Sequence, residues 1–185
     1  ANVALERTDQ AGEPGPFAQV IGAIDQALWD MAARRAGLPL YRLLAGDGAT
    51  SSGRVRLYAS GLGPARVGEM ALAKQRQGYD AFKFKVGFGP DKDRANFAEI
   101  RAALGDDALV MVDANQAWEP QDAAARIAEL APFRPVWVEE PMAADVPVET
   151  WRRLADACGV PLAAGENLRG LPAFEEALSA GFLRF

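Results

Sequence analysis

The polar residues that close successive apolar runs recur at an almost constant interval, and this interval constrains the fold more than any other feature of the chain. VRLYAS, AFKFKVG, ALVMVDAN, PVWVEEP and PLAAGEN each carry one, namely Tyr58, Lys85, Asp113, Glu139 and Glu166, separated by 27 (85−58), 28 (113−85), 26 (139−113) and 27 (166−139) residues. Amphipathic stretches fill the intervals, around Ala65 to Arg76, Asp91 to Leu104, Gln121 to Leu130, Val148 to Cys158 and Leu171 to Ala180. Phe97, Ile100 and Leu104 share one helical face, as do Trp151, Leu154, Ala155 and Cys158. Strands that alternate with helices pair in parallel, because a parallel pair needs a crossover and the crossover is usually a helix. An open doubly wound sheet also alternates, but it usually carries a Gly-rich phosphate loop after its first strand, and GxGxxG is absent. A barrel, which collects functional residues from the ends of successive strands on one rim, fits the repeat better.

The predicted class is therefore α/β, a partial (β/α) TIM-type barrel of five to six strand-helix units over residues 54–185. Residues 1–53 read as a separate leading segment. In it Ile21, Ile24, Leu28 and Met31 recur at helical spacing between Phe17 and Arg35, and Gly37 and Pro39 stop that helix. A short helix from Leu40 to Leu44 follows, then a Ser/Gly linker from Ala49 to Gly53. The 185 residues fall short of the roughly 250 of a complete barrel. Ala1 is not a methionine, and Leu183-Arg184-Phe185 reads as the start of a strand, so both ends are expected to be cut.

Composition narrows the partners. Half of the residues are hydrophobic and 24% are charged, enough apolar material for a sizeable core. The net charge of -5, with no basic run, argues against a nucleic-acid partner. No signal peptide is evident and no apolar stretch is long enough to span a bilayer, so no membrane partner is expected and the cytoplasm is the expected location. Cys158, the one cysteine, lies on an apolar helical stripe and is expected to be a buried thiol.

In Phe82-Lys83-Phe84-Lys85-Val86 the period of two puts both lysines on one face and the three apolar side chains on the other. With the aromatics under the helices, the lysines point into the barrel. Two ammonium groups held together near a cation disfavour each other's charge, which suits one of them to serve as a general base. The next three strands end in Asp113, Glu139 and Glu166, each after an apolar run where an unpaired charge is costly to bury. Three acids on adjacent strands repel one another unless a cation sits among them. With no histidine and a single helical cysteine, zinc is disfavoured, whereas an all-oxygen set suits Mg²⁺ or Mn²⁺.

Taken together, FKFKVG, VMVDANQAW, VWVEEP and AAGEN resemble the ordered signature of the enolase superfamily, mandelate racemase/muconate lactonizing enzyme family, from about Phe17 to the end of the chain. By that resemblance Asp113, Glu139 and Glu166 match the metal ligands, with Glu140 beside them. Lys85 matches the general base, and Lys83 the lysine that contacts the substrate carboxylate and helps depress the base's proton affinity. Asn115, placed on the Asp113 face of its strand, resembles a substrate- or metal-water-binding amide of the mandelate racemase branch. Ser60 on the first strand is a further candidate substrate contact. GLPLYRLLAG is similar to the helical end of the family's α+β capping domain. The Glu in AAGEN is like mandelate racemases and acid-sugar dehydratases, whereas the muconate cycloisomerase branch usually has Asp in an ADES-like run.

The resemblance implies a Mg²⁺-dependent lyase or isomerase that removes the proton next to a substrate carboxylate to give a metal-stabilised enolate. Loss of a β-hydroxyl gives dehydration of a sugar acid, the favoured outcome, and reprotonation on the other face gives racemisation. Rival readings are a cycloisomerase or dipeptide epimerase using two lysines, and a catalytically inactive barrel acting as an interaction module. The expected partners are a small-molecule carboxylate and further copies of the chain in a homo-oligomer. A second acid/base, often His paired with Asp in these relatives, is expected from later strands than those present here.

Overall fold

The computed structural model describes residues 14–46 and 54–185, and the linker expected between Ala49 and Gly53 lies outside the described residues. The chain separates into two compact units, Ala1–Val55 and Arg56–Phe185. The first contains helix α1 (Pro14–Ala36) and the short α2 (Leu40–Ala45). Gly37 follows α1 at φ +65°, a left-handed conformation that glycine adopts without Cβ strain, and its N–H returns to the Arg34 carbonyl.

The second unit alternates strictly. Its elements are β1 (Ala59–Leu62), α3 (Val67–Arg76), β2 (Ala81–Lys85), α4 (Pro90–Leu104), β3 (Leu109–Asp113) and α5 (Pro120–Leu130), then β4 (Val138–Glu139), α6 (Val148–Ala157), β5 (Leu162–Ala163) and α7 (Gly170–Ala180). All four strand pairs are parallel, in the order β1-β2-β3-β4-β5. That order never reverses. A doubly wound sheet has a switch point where the order turns back, whereas a barrel adds each strand beside the last, so a partial TIM-type barrel is the architecture observed. A parallel bridge from Leu162 to Leu183 continues the sheet on the far side of β5. Right-handed crossovers wound in one direction put every helix on the same face.

Side-chain alternation along β2 sorts the two faces. Phe82, Phe84 and Val86 are buried in the layer between sheet and helices, where Phe84 meets Phe97 of α4 edge-on at 5.1 Å between ring centres. Lys83 and Lys85 leave from the other face. Val110, Val112, Ile127, Leu130, Trp151 and Leu154 extend the same apolar layer across β3, α5 and α6. Cys158 lies just beyond the end of α6, half-buried against this core, and burial pushes its thiol above the usual range.

Two expectations shift. The first strand is Ala59–Leu62, so Tyr58 precedes it and does not close its C-terminal end, and an irregular register with β2 accompanies the change. The fourth and fifth strands have two residues each, because the chain leaves the ladder at Glu140 and again at Ala164 to build the rim loops. Among the described residues no helix is long and apolar enough to cross a membrane.

Candidate active site

Register places the site. Lys85 pairs with Asp113 and Asp113 with Glu139, so three of the candidate side chains stand side by side at the C-terminal ends of adjacent strands. Active sites of such barrels form at this end. The Lys85 ammonium donates to Asp113 Oδ2 at 2.7 Å and also to the Asn115 side-chain carbonyl. Lys83, one pleat deeper and 7% exposed, donates to Glu139 Oε1 at 2.6 Å and lies 3.5 Å from the same Asp113 oxygen. Its ammonium also stands 5.4 Å from the centre of the Tyr58 ring, a cation–π contact. The Trp137 indole N–H donates to the second oxygen of Glu139 at 3.2 Å, so both oxygens of that carboxylate are held.

These pairings differ from the expected crowding of two ammonium groups. Burial works to lower the proton affinity of Lys83, but the hydrogen bond from Lys83 to Glu139 and the charges of Glu139 and Asp113 outweigh it, and the net direction is upward. The carboxylates, not Lys85, dominate the surroundings of Lys83.

Asn115 reaches the site by a different route from the one expected. Strand β3 ends at Asp113, and Asn115 and Gln116 both adopt left-handed backbone, at φ +44° and +63°. The strand alternation thus stops before Asn115, and a tight turn brings its side chain to Lys85. The turn is pinned by Asn115 N–H on Asp113 Oδ1 at 2.9 Å and by Gln116 N–H on the Glu140 carbonyl at 2.7 Å. Gly87, at φ +97°, faces this turn from the loop after β2, where a Cβ would come within 2.6 Å of the Ala117 methyl. Ser60 is exposed on β1 and makes no hydrogen bond to the lysines or carboxylates among the described residues.

Glu166 stands in the loop after β5, exposed, and lines an open pocket of about 260 Å³ together with Glu139, Glu140, Tyr58 and Trp137. Asp113 and Glu139 are joined through Lys83, and Glu166 is hydrogen-bonded to neither. Among the described residues no three such side chains stand close enough to hold an ion as they are placed. They nevertheless act on one common group. Glu140 is 2% exposed, and its carboxyl is pushed above the ordinary glutamate range first by burial and then by the charges of Glu166, Asp113 and Glu139, against hydrogen bonds from Asn167. Sequence reasoning set Glu140 aside as a neighbour and missed Asn167 and Trp137. The adjacency of Glu139 to Glu140, and of Glu166 to Asn167, was the only available signal for two of these three.

Residues 66–185 match the family model described as Enolase C-terminal domain-like, and residues 4–45 match the mandelate racemase / muconate lactonizing enzyme N-terminal domain. The L-talarate/galactarate dehydratase of Salmonella typhimurium is 36% identical over 172 residues, covering 89% of this chain and 42% of the relative. A mandelate racemase/muconate lactonizing enzyme structure from Bordetella bronchiseptica superimposes with a TM-score of 0.86 at 44% identity, covering 98% of this chain and 50% of that one. A racemase from Streptomyces coelicolor A3(2) with bound magnesium gives 0.86 at 34% identity, with 98% and 51% covered. The chain thus spans about half the length of the proteins it matches. With its parallel, unreversed strand order and both family models in chain order, this chain belongs to the mandelate racemase/muconate lactonizing enzyme family of the enolase superfamily.

Proposed function

We propose that the protein is a divalent-cation-dependent lyase acting on a sugar acid, with Asp113, Glu139 and Glu166 as metal ligands and Lys85 as the base. The observation that carries this reading is the shared rim on which Lys85, Asp113 and Glu139 are register neighbours, with Glu166 lining the same pocket as Glu139. The donor set suits Mg²⁺ or Mn²⁺, since every candidate ligand is a carboxylate oxygen. Charge favours it as well. Asp113, Glu139, Glu140 and Glu166 set four carboxyl groups against the ammonium groups of Lys83 and Lys85, leaving −4 + 2 = −2 when all are ionised. One divalent cation balances that charge.

Bound there, a divalent cation supplies positive charge that makes the carbon next to a substrate carboxylate easier to deprotonate. Lys85, acting as the free amine, takes the α-proton. Lys83, released from Glu139 or Asp113, offers a positive charge to the substrate carboxylate. Asn115 steadies Lys85 and offers its amide to a substrate hydroxyl. Departure of the β-hydroxyl as water, after it accepts a proton, leaves an enol that tautomerises to a 2-keto acid.

Galactarate is a natural first substrate to test because the Salmonella relative is named for it. Incubation with galactarate and other acid sugars, with Mg²⁺ present, is expected to release a 2-keto acid that semicarbazide traps. Exchange of the α-proton without any keto acid would instead assign racemisation, and neither signal from any acid sugar would overturn the reading.

A further inference from the structure

We propose that Glu140 is a positioning residue whose buried carboxylate clamps the Asn167 amide and thereby holds the loop bearing Glu166 against the ends of β3 and β4. The side chain of Glu140 is buried at the rim, and its two oxygens accept from Asn167 Nδ2 at 2.8 and 3.0 Å. Its backbone makes a second set of ties. The Glu140 N–H donates to the Ala163 carbonyl at the end of β5, and its carbonyl accepts from Gln116 in the turn after β3. One residue therefore connects the turn that follows Asp113, the end of β4 at Glu139 and the loop that carries Glu166.

The backbone of Glu140 is held at φ +42°, a region that non-glycine residues seldom occupy and that persists only where surrounding bonds enforce it. On one side Glu140 lines the rim pocket shared with Glu139 and Glu166. On the other it lines a mostly apolar cavity of about 240 Å³ with Trp151, Leu168 and Phe182. A carboxylate placed against such a wall needs a donor, and Asn167 provides it.

Glu166 has no side-chain hydrogen bond of its own among the described residues, so its place is set by its flanks. Gly165 precedes it, and the Leu168 N–H closes a turn on the Gly165 carbonyl at 3.1 Å. Among the described residues, Asn167 is the one side chain in that turn tied to the barrel by a hydrogen bond. Cutting the clamp frees the turn, and with it the third proposed ligand. A glutamine at 140 would present an NH₂ where one carboxylate oxygen now accepts, so donor would face donor.

The consequence for metal binding rests on the function proposed above, whereas the clamp itself does not. Two variants of the intact protein test it, Glu140→Gln and Asn167→Ala, the latter at an exposed position where folding is not at stake. With metal chelated, hydrogen exchange at the Leu168 amide is expected to accelerate about tenfold or more in Asn167→Ala, with β2 and β3 amides unchanged. Mn²⁺ affinity read by electron paramagnetic resonance is expected to fall about 10–100-fold in both variants, the usual cost of losing a ligand's supporting partner. Turnover at saturating Mg²⁺ should recover toward the parent value. Leu168 exchange and Mn²⁺ affinity both within about twofold of the parent would overturn the proposal. If the parent itself binds no Mn²⁺ while the loop loosens as expected, the clamp stands and the metal reading fails.

Discussion

Lys85 and Asp113 are direct partners across the β2–β3 ladder, and the Lys85 ammonium donates to Asp113 Oδ2 at 2.7 Å. The same oxygen lies 3.5 Å from the Lys83 ammonium, which is bonded in turn to Glu139. Asp113 is 2% exposed, so the one oxygen that links the two ammonium groups is itself buried. A divalent cation at the rim would compete with both lysines for it. The proposed base and the proposed ligand are therefore coupled, and perturbing either should be felt at the other.

Lys83→Met should be costly without metal and less so with it. The substitution leaves two carboxylates facing each other with one ammonium removed, and breaking a buried ion pair costs about 3–5 kcal/mol. Urea unfolding in a chelator is expected to record a loss near that size. Excess Mg²⁺ should return part of it, because the ion replaces the missing positive charge and binds only the folded chain. An equal loss in both conditions would separate Lys83 from the metal site.

Gly87→Ala should loosen the rim. Its φ of +97° disfavours any side chain, and the new methyl would meet Ala117 at 2.6 Å, in the loop that carries Asn115. A loss of about 1–3 kcal/mol is expected from the backbone conformation alone, with overpacking added. The double variant Gly87→Ala/Ala117→Gly should recover the steric part and keep the backbone part. Additive losses in the double variant would show that the contact does not matter.

Asp93 sets a pH dependence of stability on the acid side of neutrality. Its carboxylate accepts from the Gly87 and Phe88 N–H groups at 2.9 and 3.1 Å, but burial is the larger influence and raises its proton affinity above the ordinary aspartate range. A group whose folded value is raised binds its proton more tightly when folded. Its stabilising contribution is complete below the unfolded value, about 3.9, and is lost as pH climbs through the folded one. Compared with Asp93→Asn, the parent should therefore gain stability as pH is lowered through that window. A difference between parent and variant that does not change with pH would contradict the assignment.

Much of this was legible in the chain because two periods coincide. The alternation of Phe82, Lys83, Phe84 and Lys85 assigns faces within a strand, and the near-constant spacing of Lys85, Asp113 and Glu139 assigns their places on the rim. The rim's fine structure was not legible, since it depends on backbone that sequence argues against. Glu140 precedes Pro141, whose ring biases the preceding residue toward extended conformations, yet Glu140 is left-handed. Asn115 likewise escapes the alternation that seemed to place it. The pairing of Lys83 with Glu139 joins residues 56 apart in sequence, and no local pattern announces it.

The central claim is that Lys85 removes an α-proton with the help of a divalent cation. Proton NMR of an acid-sugar substrate in D₂O tests it most directly, comparing the intact protein with Mg²⁺, the protein with chelator, and Lys85→Met with Mg²⁺. The predicted result is loss of the α-proton signal only in the first sample, with the Lys85→Met rate reduced about 10²–10⁴-fold and its Mn²⁺ affinity largely intact. Loss of the signal at the same rate in chelator, or in Lys85→Met, would contradict it.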